Sequence, residues 1–153
     1  MIAKVIELDD AHDAGLRALL VAEECTHDAL SLIDHRYRPY EKLYVALTDT
    51  DVVGFLEGTF VDMSEPGGGY PAPRARIMKL VVSSRFRRRG VATALVRKFV
   101  VDARAAHVDS LVLYPDPQES GYEGRMAFFA SCGMRKTDSP GLVGARLACL
   151  SSD

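Results

Sequence analysis

Apolar residues in this chain fall into short blocks whose period switches between that of a strand and that of a helix. Ala3 to Leu8 predicts a first strand, after which Leu16, Leu19, Leu20 and Ala22 recur at helical spacing toward Cys25. Asp10 or Asp13 is the expected cap of that helix. A second helix is expected over His27 to Tyr37, ended by Pro39. Leu43 to Leu47 and Val52 to Val61 read as two strands, and the turn-rich linker Thr48-Asp49-Thr50-Asp51 joins them as a hairpin. Gly67, Gly68 and Gly69, with Pro66, Pro71 and Pro73, mark a loop that reads as a connector or as a flap, composition favouring the connector. A strand over Ala75 to Val82 follows. Next comes a helix over Gly90 to Ala106, with Leu95, Phe99 and Val100 on its inner face. Ser110 to Tyr114 predicts a strand, Arg125 to Ser131 a helix stopped by Gly133, and Leu142 to Leu150 a final alternating strand. Strands and helices thus mix along the whole length, an α/β pattern without internal repeat.

Composition narrows the class of molecule. With 153 residues, 48% hydrophobic and 26% charged, the chain is expected to form a single domain, 1–153, with a core of its own. No apolar run approaches the roughly 20 residues of a membrane span, and no signal peptide is recognisable, so a soluble cytoplasmic protein is expected. Cys25, Cys132 and Cys149 are odd in number and lack Cys-x-x-Cys spacing, which predicts free thiols in a reducing compartment. A net charge of −2 and the absence of Trp argue against a nucleic-acid or anionic-membrane partner, despite the cluster Arg85 to Arg89. His12, His27, His35 and His107 show no metal-binding spacing, and no metal is expected.

The informative segment is Arg76 to Val96. A buried strand runs into a basic turn, and a helix opens on Gly90, Ala92 and Thr93. Such a helix start presents unpaired backbone N–H groups and the positive end of the helix dipole, a site for an anion. Arg87, Arg88 and Arg89 beside it favour a phosphate-bearing ligand, although alone they would read as a solvated charge run. Neither a P-loop nor a dinucleotide fingerprint is present. Arg87-Arg88-Arg89-Gly90-Val91-Ala92 instead resembles the pyrophosphate-binding motif of the GNAT superfamily of N-acetyltransferases: Gln or Arg, two residues, Gly, one residue, then Gly or Ala. It follows a strand ending in an apolar pair, Val81-Val82, as in that family. Phe128-Phe129-Ala130-Ser131-Cys132-Gly133-Met134 is similar to the family's late helix, and the order of elements matches over nearly the whole chain.

The resemblance implies the GNAT fold: a central mixed, mostly antiparallel sheet, splayed in the middle and flanked by helices. It implies acetyl-CoA as cosubstrate and an amine acceptor, on a small molecule or a protein N-terminus or lysine, with direct transfer and no metal. Leu80, Val81 and Val82 would border pantetheine, with the Leu80 amide also facing the thioester carbonyl. Arg87, Arg88, Arg89, Gly90, Val91, Ala92 and Thr93 would surround the pyrophosphate. Two departures concern catalysis. Phe129 stands where the family usually has a proton-donating Tyr, leaving Tyr122 or Tyr114 as substitutes. No acid occupies the early part of the Ala75 to Val82 strand, which makes Glu57 the candidate base, against its reading as a solvent-facing strand residue. Glu23, Glu24, Asp28, Asp34 and Glu41, with Arg36 and Arg38 among them, lie on the expected acceptor side. A sensor or partner module that binds an acyl-CoA without catalysis is the alternative, and a homodimer remains open.

Overall fold

The apolar blocks become strands and helices close to the expected bounds. The computed structural model describes residues 4–25, 40–49 and 51–150. Within them the elements are β1 (Lys4–Glu7), α1 (Asp13–Ala22), β2 (Glu41–Thr48), β3 (Asp51–Asp62), β4 (Arg74–Val82), α2 (Val91–Ala105), β5 (Ser110–Leu113), α3 (Tyr122–Ser131), β6 (Arg135–Lys136) and β7 (Val143–Arg146). The seven strands follow the order β1-β2-β3-β4-β5-β7-β6 in a mixed, mostly antiparallel sheet. The β4–β5 pair is parallel, through Ala75 with Leu111 and Arg76 with Val112, and β4 runs on to Val82. The expected helix over His27 to Tyr37 lies outside the described residues.

The chain divides into two compact units, the first comprising Met1–Gly58 and Lys79–Phe99. Its core joins Leu16, Leu19 and Leu20 of α1 to Leu43, Val45 and Leu47 of β2 and to Val52 and Phe55 of β3. Each such side chain contributes about 1.5–3 kcal/mol when fully buried. Val81 of β4 packs against the same cluster. The N-cap of α1 is His12, in place of Asp10 or Asp13: a short 3₁₀ turn, Asp10–His12, precedes the helix, and Asp9 caps that turn, its Oδ1 accepting the His12 amide at 3.1 Å. Val52 to Gly58 are buried without a break, as in a strand covered on both faces. Gly54 lies in this run because α2 approaches the strand closely. A Cβ there would sit 2.7 Å from Val91 Cγ1 and 3.0 Å from Leu95 Cδ1.

The second unit comprises Thr59–Met78 and Val100–Asp153. Here β5 pairs antiparallel with β7, from Ser110 with Arg146 to Leu113 with Val143, and β6 lies along the other side of β7. The expected strand over Leu142 to Leu150 is therefore shorter. It ends at Arg146, and Leu147–Cys149 turn into a 3₁₀ helix, where the Arg104 guanidinium donates to the Leu147 and Leu150 carbonyls. Helix α3 begins at Tyr122, earlier than Arg125, and stops at Gly133 as expected. Gly133 has φ +102, its amide donates to the Ala130 carbonyl and the Met134 amide to that of Phe129, each at 3.0 Å, a Schellman stop.

The Gly67 to Gly69 loop is tied down rather than a free connector. Arg74, 1% exposed, donates to Asp62 Oδ2 at 3.1 Å, to the Tyr70 carbonyl at 2.6 Å and to the Ser64 carbonyl. A Cβ on Gly67 would collide with the Arg74 guanidinium, and the Gly68 amide donates to Ser139 Oγ at 3.2 Å. Burial pushes the Asp62 carboxyl up, but hydrogen bonds from Ser64 and Arg74 and the charge of Arg76 outweigh it, so the group lies below its ordinary value.

Candidate functional site

The turn between β4 and α2 lies within the first unit and is built from a small number of fixed points. The Ser83 amide donates to the Val53 carbonyl of β3 at 2.8 Å, which anchors the end of β4. A 3₁₀ turn, Ser84–Phe86, follows and closes through the Phe86 amide on the Ser83 carbonyl at 2.9 Å. Arg88 then has φ +62 and Gly90 φ +80, so the chain enters the left-handed region twice before the helix starts. For an arginine that conformation costs on the order of 1 kcal/mol or more, and it persists only when its surroundings hold it. Both neighbours of Arg88 are held. Arg87 Nη2 lies 2.8 Å from Glu23 Oε1, and the Arg89 guanidinium sits 5.5 Å from the centre of the Phe86 ring.

Helix α2 makes its first backbone bond from the Ala94 amide to the Gly90 carbonyl, at 3.0 Å. The amides of Val91, Ala92 and Thr93 precede that bond and have no partner within the helix. No acidic residue lies in the first turn. A Cβ on Gly90 would meet nothing within 4 Å, so the space before the helix is open. Backbone donors, the positive helix end, a bare glycine and the exposed Arg85, Arg87, Arg88 and Arg89 together suit a phosphate or pyrophosphate group. Successive amides of a strand point to opposite sides. The Ser83 amide is directed at β3, and regular alternation back along β4 would turn those of Leu80 and Val82 to its other edge. Leu80, Val81 and Val82 are each half-buried.

The other expected site residues are placed as follows. Glu57 of β3 is only 7% exposed, which corrects its reading as a solvent-facing residue and leaves it as a buried acid. The cause is the two-sided cover of β3, which overrides the alternation of the sequence. Tyr122, read as a loop aromatic, is the first residue of α3 and is half-buried, in the second unit. Tyr114, just past β5, is 54% exposed, whereas Phe129 is 5% exposed within α3 and Phe128 stands edge-on to it at 5.2 Å. Asp28, Asp34, Arg36 and Arg38 lie outside the described residues. Glu23, expected on the acceptor side, instead reaches the basic turn: Oε2 accepts from the Ser84 amide at 3.1 Å while Oε1 pairs with Arg87. Its separation from the turn by about sixty positions hides that contact from any local pattern. Gly54, which admits the first turn of α2, was likewise missed; an isolated glycine within an apolar strand is the signal that marks such a close approach.

Comparison with known proteins gives the family and the fold. The family model described as acetyltransferase (GNAT) family matches residues 8–134. Among solved structures, the chain is similar to the aminoglycoside acetyltransferase AAC(6')-Iy in complex with the bisubstrate analogue CoA-S-monomethyl-acetylneamine, with TM-score 0.77 and 16% identity over 91% of this chain and 95% of that one. It is similar to the aminoglycoside 6'-N-acetyltransferase AAC(6')-Ih from Acinetobacter baumannii, with TM-score 0.73 and 18% identity over 90% and 93%. It is also similar to the GNAT family N-acetyltransferase YhbS from Escherichia coli in complex with CoA, with TM-score 0.71 and 20% identity over 96% and 82%. At these identities the likeness concerns the fold. No curated protein matches the chain in sequence. Among the described residues, no helix is long and apolar enough to cross a membrane.

Proposed function

The chain belongs to the acetyltransferase (GNAT) family, and from that premise we propose that it moves an acetyl group from acetyl-CoA to a primary amine by direct attack in a ternary complex. The observation that carries the reading is the turn before α2. Two left-handed residues, Arg88 and Gly90, the latter facing open space, precede three helix-start amides just after a strand that ends at Val82. The residues fit a coenzyme A pyrophosphate. The amides of Val91, Ala92 and Thr93 and the Arg87 to Arg89 side chains hold its charge, and Gly90 gives it room to approach the backbone. Leu80 and Val82 pair with pantetheine along the edge of β4 as an added strand would, with Val81 between them packed on the core. Acetyl-CoA, when bound, supplies the acetyl thioester. The Leu80 N–H stabilises charge on the thioester oxygen as the C–N bond forms and the C–S bond breaks. Glu57 removes the amine proton, directly or through a water, and Tyr122 returns a proton to the departing sulfur.

The acceptor is a small-molecule amine or a protein N-terminus or lysine; the aminoglycoside enzymes among the structural neighbours support the small-molecule class. A single cytoplasmic domain, 1–153, working without a metal, completes the reading. Phe129 favours a second one, a module that binds acyl-CoA as a sensor, because a phenyl ring cannot protonate a thiolate. Thiol release from acetyl-CoA across a panel of amines separates the two. Amine-dependent release with intersecting double-reciprocal lines supports transfer in a ternary complex. Saturable coenzyme A binding with no release for any amine class favours the sensor.

A further inference from the structure

We propose that Glu23 is a positioning residue for the coenzyme A loop, holding the Ser84 to Gly90 turn in its anion-ready shape. The inference rests on the reading of that turn as the pyrophosphate site. Glu23 follows the last residue of α1, and its side chain is 11% exposed. One carboxylate oxygen accepts the Ser84 amide at 3.1 Å and the other pairs with Arg87 Nη2 at 2.8 Å, so a single residue grips the turn at two points. Directly after the second point comes Arg88, with φ +62, and two residues later Gly90, with φ +80. A left-handed arginine needs outside support, and the contacts that flank it are Arg87 on Glu23 and Arg89 on Phe86. Arg87 keeps 61% of its side-chain surface exposed, so it meets Glu23 while remaining open to a phosphate.

Charge and geometry predict opposite outcomes here, which makes the role testable. A carboxylate close to an anion site opposes the anion. If only charge mattered, removing it would tighten binding. If position matters, Glu23→Ala releases the Ser84 amide and Arg87, lets Arg88 relax to the right-handed region, and scatters the donors. The loss is one charge-assisted hydrogen bond to a backbone amide and one exposed ion pair, and the part of it that reaches the ligand is expected to be about tenfold in affinity.

The test is calorimetric titration of coenzyme A into the full chain, first the unaltered protein and then Glu23→Ala, Glu23→Gln, Arg87→Ala and the Glu23→Ala/Arg87→Ala double variant, with the melting temperature of each. Glu23→Ala is expected to bind about tenfold more weakly while still melting cooperatively. Glu23→Gln, which keeps an acceptor for the Ser84 amide, is expected to recover most of that loss. In the Arg87→Ala background the effect of Glu23→Ala shrinks, because one of its two grips is already gone. Equal or tighter binding by Glu23→Ala overturns the positioning role, as does a Glu23→Gln variant as weak as Glu23→Ala. If the unaltered protein does not bind coenzyme A, the functional reading fails instead, and the two failures are distinct.

Discussion

Gly54→Ala places one methyl group where the sheet meets the start of α2. The new Cβ would lie 2.7 Å from Val91 Cγ1, 3.0 Å from Leu95 Cδ1 and 3.3 Å from Ala46 Cβ. Ordinary carbon contacts begin near ~3.5 Å, so Val91 must retreat by somewhat less than ~1 Å. Val91 and Leu95 are 3% and 0% exposed and sit on a rigid helix, so the first turn of α2 moves with them. Overpacking of this kind costs about 1–3 kcal/mol. Replacing glycine in a strand returns about 0.4–1 kcal/mol by restricting the unfolded chain. The net is a loss of about 1–2 kcal/mol, or a melting temperature lower by roughly 2–8 °C for a chain of this size. The amides of Val91 to Thr93 shift by the same fraction of an ångström, and coenzyme A affinity is expected to fall by about tenfold as their geometry degrades. Differential scanning calorimetry and titration with coenzyme A read the two effects. Unchanged melting and unchanged affinity together would refute the argument that the contact of β3 with α2 places the anion site.

Gly90→Glu should behave in the opposite way. Its side chain enters open space, so stability falls only by the left-handed penalty of about 1–2 kcal/mol, while coenzyme A binding is lost; normal binding would mean that the pyrophosphate lies elsewhere. Glu57→Gln and Tyr122→Phe should each lower the rate of acetyl transfer by about 10²-fold or more without weakening coenzyme A binding, and unchanged steady-state rates would remove either residue from proton transfer. The Asp62 carboxyl, held below its ordinary value in the folded chain, stabilises the fold above the unfolded-state value, and that stability is lost as pH falls through the lower, folded-state value. Asp62→Asn should therefore show a shallower decline of melting temperature below about pH 4 than the unaltered chain, and parallel declines would contradict the assignment.

The strand–turn–helix unit was legible in the sequence because each part is local. Val81-Val82 end a strand, Gly90 frees the backbone, and Leu95 and Phe99 set the inner face of the helix, all within about one βα unit. The bounds of β3, β4 and α2 followed from the same periodicity. What escaped depends on partners distant in sequence. Glu23 meets a turn some sixty positions away, and nothing near it distinguishes it from Glu24, which is exposed. Nothing local to Arg74 shows that its loop closes over it, which is also why the triple glycine looked like a connector. The end of β7 was lost because Leu147 and Leu150 continue the apolar alternation while Arg104 captures their carbonyls and turns the chain. Strand β6 has two exposed residues, Arg135 and Lys136, and so leaves no apolar pattern at all.

The central claim is that the Arg87 to Thr93 turn holds the pyrophosphate of coenzyme A, and its most direct test is titration calorimetry of acetyl-CoA into the purified protein, with desulfo-CoA and ATP as comparators. The account predicts saturable binding of acetyl-CoA and desulfo-CoA near one ligand per chain, which ATP does not match. No binding of either coenzyme A compound, or binding matched by ATP, would contradict it.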